Sequence, residues 1–196
     1  MGTFPTQSIY INSQKNTAIF ELSSALQKYI DSSLDNRDIV ILCIGTDRST
    51  GDSLGPLTGY KLNNIKYDNV YIYGTLDTPI HAKNIQSTLE QINSLYKEPF
   101  IIAIDACLGR HDHIGFIILS NKPLKPGAGV NKELPEVGDI SITGVVNAGG
   151  FMDFLVLQNT RLNLVMRMAD IISMGLKYVL WKRSKNMLKT DLRQVK

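Results

Sequence analysis

Cysteine is scarce: two residues in a chain of 196, Cys43 and Cys107, each at the end of a predicted strand and with no repeated spacing. That excludes a disulfide scaffold and a paired-cysteine zinc module, and it fits a reducing compartment. Histidine is scarce too, with three residues. His111 and His113 have ligand-like spacing around Asp112, but in an extended segment they alternate to opposite faces, so neither a metal nor a cofactor is expected. No uninterrupted apolar run approaches the roughly 20 residues of a membrane span. Met1 to Gln14 lacks the basic-then-apolar pattern of a signal peptide, and the expectation is a cytoplasmic protein with no membrane partner. Charge of one sign is also in short supply, with a net of +3. The basic residues Lys182, Arg183, Lys185, Lys189, Arg193 and Lys196 gather at the end without interleaved aromatics, which predicts a solvated basic tail over 184–196 and no nucleic-acid surface. Repeats and low-complexity segments are absent. Length and a hydrophobic content of 43% predict one domain, residues 1–196, with a loose, patternless arm at 1–15.

What the sequence does contain is organised around residues 39–59. Ile39 to Cys43 is a continuous apolar run rich in β-branched residues, the pattern of a strand buried on both faces of a parallel sheet. A polar, Gly-rich loop follows. Leu54, Leu57, Leu62 and Ile65 then recur at helical spacing, with Pro56 in the first turn, where its missing N–H costs nothing. The unit reads strand, loop, helix. In open α/β sheets functional groups collect beyond the carboxyl ends of the strands, and this loop carries Asp47 and Asp52 there.

Further elements repeat the theme. Thr17 to Ile30 predicts an amphipathic helix, Val70 to Tyr73 a short strand, and Ile85 to Tyr96 a second amphipathic helix closed by Pro99. Phe100 to Ile104 is another apolar run, ending in Asp105. Ile114 to Leu119 and Ile140 to Val146 predict further strands, the latter entering an N-A-G-G turn at Asn147 to Gly150. Phe151 to Gln158 reads equally as strand or helix. From Thr160 a helical register persists for about five turns. The alternation predicts a three-layer α/β/α fold on a largely parallel twisted sheet.

Asp52 and Asp105 are the candidates for paired carboxylates, since each follows a buried strand and both strands should end at one sheet edge. Two acids held close share a proton, so that one serves as base while the other serves as acid. An Asp in a strand-to-helix loop is also commonly a helix cap, which is the competing reading for Asp52. Asp105 follows four apolar residues and fits a cap less well; a structural pairing with Arg110 or Arg48 is its alternative. Cys107 reads as a small buried hydrophobe rather than a nucleophile. Gly127 and Gly129 lie in a Pro/Gly-rich loop that lacks the helix of a phosphate cradle, so they read as a cleft wall. Gly149, Gly150 and Asp153 form a second wall, with Phe151 and Met152 as pocket residues and Asp153 either a third acid or a surface turn residue. An extended peptide could add along these walls by main-chain hydrogen bonding.

The stretch Gly45-Thr-Asp-Arg-Ser-Thr50-Gly-Asp52-Ser-Leu54-Gly55-Pro56 resembles the corresponding stretch of the bacterial spore germination protease family. Two further blocks agree in order: Ile104-Asp105-Ala106 followed by Gly109-Arg110, and Pro126-Gly127-Ala128-Gly129-Val130. Overall length and the N-A-G-G-F-M-D stretch resemble more closely the shorter, YyaC-type sporulation family related to that protease. The resemblance implies a fold like the hydrogenase-maturation peptidases, Asp52 and Asp105 as the catalytic pair, Arg110 positioning a carboxylate, and a peptide or small protein substrate in the sporulating cell or spore. Departures exist. The germination protease's longer N-terminal region has no counterpart here, and where the hydrogenase peptidases place Glu, Asp and a later His around nickel, the first acid here is Asp52 and no His follows His113. The expected activity is therefore an aspartate-dependent endopeptidase. Its alternative is a peptide-binding or regulatory module on the same fold, and a homo-oligomer is left open.

Overall fold

The computed structural model describes residues 8–33, 37–126 and 134–194. Six strands form one sheet: β1 (Ile9–Asn12), β2 (Ile39–Cys43), β3 (Val70–Tyr73), β4 (Phe100–Gly109), β5 (Phe116–Ser120) and β6 (Ile140–Ala148). Their order across the sheet is β1-β5-β6-β4-β2-β3. The β2–β3, β2–β4 and β4–β6 pairs are parallel, while β5 runs antiparallel to both β6 and β1. Among the described residues five α-helices accompany the sheet: α1 (Ala18–Ser33), α2 (Leu54–Leu62), α3 (Ile85–Leu95), α4 (Asp153–Gln158) and α5 (Leu162–Gln194).

Strand β2 shows why its sequence is apolar throughout. Successive side chains point to opposite faces, and both faces are covered. Ile39, Ile41 and Cys43 join Leu22 and Leu26 of α1, Leu54 and Leu62 of α2 and Ile172 and Leu176 of α5 in the larger core. Val40 and Leu42 face the other way, against Ile85 and Ile92 of α3 with Ile80 and Val137. The result is the expected three layers, with α1, α2 and α5 on one face and α3 on the other.

Several elements depart from the expectations. The supposed loose arm contains β1, whose Ile11 is buried and which pairs with β5 at the sheet margin; a four-residue strand is too short for its alternation to stand out. The basic tail is no tail through residue 194, since α5 continues to Gln194. β5 begins at Phe116 because His111–His113 forms a 3-10 turn and Gly115 takes a φ of +88°. The ambiguous Phe151 to Gln158 segment resolves into α4. Gly127 and Gly129 lie outside the described residues. Most consequential for the site, β4 does not stop at Asp105 but runs on to Gly109, paired with β6 as far as Ala148.

Candidate functional site

Strand β2 pairs with β4 only up to Cys43, opposite Ile104, whereas β4 and β6 continue. A step is left in the carboxyl edge of the sheet, and the loop after β2 folds over it. Ile44 makes one last bond, its N–H donating to Ile104 O at 2.7 Å, and the Gly45 N–H donates to Ile80 O at 2.7 Å. The chain then turns sharply at Gly45, with φ at +135°. It returns so closely that the Thr46 N–H reaches the Asp52 main-chain oxygen at 3.1 Å, and a Cβ on Gly45 would sit 2.0 Å from that oxygen. Gly55, in the first turn of α2, rests directly on the strand end, where a Cβ would meet Ile44 O at 2.0 Å. The glycines of this stretch thus bring the start of α2 down onto β2.

Asp52 sits in the short 3-10 turn Gly51–Ser53 that leads into α2. It is not a helix cap: neither this turn nor α2 has a side-chain cap hydrogen bond, and Ser53 Oγ turns back to Thr50 O at 2.7 Å. Asp105 lies on β4, two residues from Ala103 and two from Cys107, so the three share a face of the strand. It is 6% exposed, and its Oδ1 accepts the Ala106 N–H at 2.7 Å.

Both acids line one cavity of about 290 Å³ at the sheet edge. Burial pushes the Asp105 carboxyl well above the usual range, the Asp52 charge pushes it further, and the Ala106 N–H pulls back only in part. Asp52 is also raised by burial, against the opposing pull of the Thr46 N–H and the His81 imidazole. A proton is therefore retained near Asp105 while Asp52 gives up its own more readily, the behaviour of two coupled carboxyls that titrate as a unit. The Cys107 thiol is lifted to about 11 by burial, with a Thr143 hydrogen bond lowering and Asp105 raising it. At neutral pH it is a thiol rather than a thiolate, which removes it as a nucleophile.

The remaining candidates divide. Asp153 lines the cavity with Phe154 and Leu157 of α4, and its Oδ1 accepts the Gly150 N–H at 3.0 Å. Gly149 and Gly150 support this turn rather than line the cavity; the Gly149 N–H donates to Gly109 O at 2.8 Å. Phe151 and Met152 point outward, at 91% and 62% exposure, so Phe154 and Leu157 take the wall position expected of them. Pro126 and Leu134 line the same cavity. Asp47 is exposed and stands outside it. Arg110 positions neither acid: it forms a two-pronged pair with Asp112, at 3.1 and 3.0 Å, on the surface. His113 packs its ring between Tyr10 and Phe116. Among the described residues no three His, Cys, Asp or Glu side chains form a metal-binding group.

His81, Ser49 and Arg48 line the cavity as well without having been assigned there from sequence. For His81 a signal existed, because it follows β3 toward the same sheet edge that selected the two acids. The bridge between Ile44 and Ile80 carries it alongside the end of β2.

The buried carboxyls set a sign for stability against pH. A group whose pKa is raised in the fold binds its proton more tightly there than in the unfolded chain. Stability is then greatest below the ordinary carboxylate range and declines as pH rises toward the folded value. Asp105→Asn removes the penalty, so its melting temperature should exceed the parent's, by a margin that widens as pH rises above the ordinary carboxylate range of about 4. Thermal melts of both proteins from that range upward check this; a margin that is flat or narrows with pH would contradict the burial of an ionisable Asp105.

Residues 10–175 match the family described as "Protein of unknown function (DUF1256)". The uncharacterized protein YyaC of Bacillus subtilis (strain 168) is 54% identical over 155 residues, which span 79% of this chain and 73% of that protein. Among solved structures, the NiFe hydrogenase maturation protease HycI from Thermococcus kodakarensis KOD1 aligns with a TM-score of 0.55 at 18% identity, covering 80% of this chain and 98% of its own. At that identity the likeness is one of fold. No helix among the described residues is long and apolar enough to cross a membrane.

Proposed function

Because the chain belongs to the DUF1256 family and has the fold of a maturation protease, we propose that it is a peptidase in which Asp52 and Asp105 together hydrolyse a peptide bond. The observation that carries this reading is the pair itself: two acids from different layers of the fold facing one cavity, each raised by burial and the deeper one raised further by its neighbour.

The chemistry follows from that asymmetry. Asp52 is the carboxyl more readily ionised, and it accepts a proton from a water held between the two acids. The water oxygen attacks the scissile carbonyl carbon. Asp105, kept protonated by its surroundings, donates its proton to the carbonyl oxygen as the tetrahedral centre forms. Collapse of that centre then requires a proton on the leaving amine, and Asp52, which has just gained one, supplies it, while one hydroxyl of the centre returns its proton to Asp105 as the carbonyl re-forms. The net change is one water added across one peptide bond. His81 holds its ring close enough to favour the ionised form of Asp52.

The resemblance of three sequence blocks to the spore germination protease family supports a substrate among the small basic proteins of the spore and a role in the sporulating cell. Incubating the pure protein with such proteins and analysing the mixture by mass spectrometry tests this. Discrete internal cleavage that disappears in Asp105→Asn is expected. Intact substrates that nonetheless co-purify with the protein would instead identify a peptide-binding module on this fold.

A further inference from the structure

Helix α5 buries one face and exposes the other. Val165, Met168, Ile172 and Val179 lie in the core. Met174, Tyr178 and Trp181, at helical spacing, form a stripe along the outward side, each half-exposed. The Tyr178 and Trp181 rings lie beside each other, with centroids 6.2 Å apart. Lysines accompany the stripe one turn away: Lys177 and Lys185 stand on either side of Trp181, and Lys182 follows Tyr178. All three are exposed, and none belongs to an ion pair among the described residues. Of the acids on the adjoining elements, Asp170, one turn before Met174, is held by Lys61 of α2 at 2.8 Å, and Asp31 of α1 acts on the Arg183 guanidinium. From 171 to 190 the sequence contains no Asp or Glu. The outward face of α5 is therefore apolar, aromatic and of one charge sign.

We propose that this face of α5 lies on an anionic lipid surface, with Tyr178 and Trp181 at the level of the headgroups and Lys177, Lys182 and Lys185 against the lipid phosphates. Aromatic side chains with an apolar body and a polar tip settle at a bilayer interface, and lysine stems lie along apolar surface while their ammonium groups reach past it. Each lysine near an anionic surface strengthens attachment by about fivefold. Charge separates this occupant from the others. A second copy laid along the stripe would set the same lysines against one another, since a twofold contact presents one patch from both sides. A nucleic-acid duplex would take the lysines but leave Met174 and both rings against phosphate, and the stripe follows the outward ridge of a helix rather than a groove that could hold stacked bases. Such a helix lies on the membrane and does not span it, in keeping with the lack of any helix among the described residues apolar enough to cross. The proposal departs from the expectation of no membrane partner, and it is independent of the peptidase reading, since neither Asp52 nor Asp105 takes part.

Trp181 is the only tryptophan of the chain, so tryptophan fluorescence reports on this face alone. The full chain is titrated with vesicles of phosphatidylglycerol and phosphatidylcholine in equal parts, at low ionic strength. The emission should move to the blue saturably and be quenched by lipids brominated on their acyl chains. The shift should be absent with phosphatidylcholine alone and should weaken as salt is added. Lys177→Gln, Lys182→Gln and Lys185→Gln combined should weaken vesicle binding by about a hundredfold at the parent's melting temperature, because all three side chains are exposed. An emission indifferent to the anionic vesicles would overturn the proposal, as would an equal shift with phosphatidylcholine alone or equal binding by the triple variant. A blue shift produced by duplex DNA, or by concentrating the protein alone, with none on vesicles, would overturn it in favour of a nucleic acid or a second copy.

Discussion

Asp105→Asn should lose at least a hundredfold and up to about ten-thousandfold of peptidase activity, the range expected when a positioned proton donor is removed. Asp52→Asn should lose a similar factor. The double substitution should cost little beyond either single one, because neither acid completes the proton transfers without the other. Both variants should fold, and Asp105→Asn should melt above the parent at neutral pH, since a carboxyl that is 6% exposed and beside another acid has been replaced by a neutral amide of the same shape. Activity lost together with gained stability is the signature of a residue retained for chemistry rather than for packing. Rates measured on one cleaved substrate, with melts of all four proteins, check the set. Multiplicative losses in the double variant would mean that the acids act separately.

Gly45→Ala should be among the most damaging single methyl additions within the described residues. The position combines a φ of +135° with a Cβ placed 2.0 Å from the Asp52 main-chain oxygen, so backbone strain and a collision with unyielding backbone add. We expect a loss of about 3 to 5 kcal/mol, measured by denaturant unfolding, with the Thr46 to Asp52 bond broken and Asp52 displaced. Activity should fall with it even in the fraction that remains folded. An alanine variant of near-parent stability would show that the loop does not close over β2 in this way.

Much of this architecture was legible in the chain, and the reasons are local. Strands β2 and β4 announce themselves because both of their faces are buried and every position must be apolar, and Asp105 stands out because an acid ending such a run has few bland explanations. Asp52 was visible only through its place in a strand-to-helix loop, where capping reads the same. What the sequence concealed depends on distant segments. The place of His81 after β3 indicated the right sheet edge, but what brings it to the cavity is the hydrogen bond that Ile80 accepts from Gly45, a contact with no periodic signature. β1 is four residues long and needs β5 to become a strand. Arg110 was assigned to a carboxylate and found one, but two residues away at Asp112 rather than in the cavity. On the cavity wall, Met152 takes a left-handed φ of 64° just before α4 begins at Asp153, and Phe154 and Leu157 line the cavity while Phe151 and Met152 do not.

The central claim is that Asp52 and Asp105 hold one proton between them, and carboxyl-carbon NMR titration of the protein labelled at aspartate tests it most directly. The account predicts that Asp105 stays protonated well above the ordinary carboxylate range and that Asp52→Asn, by removing the neighbouring charge, lowers its titration point. An Asp105 that ionises in the ordinary range, indifferent to the charge at Asp52, would contradict it.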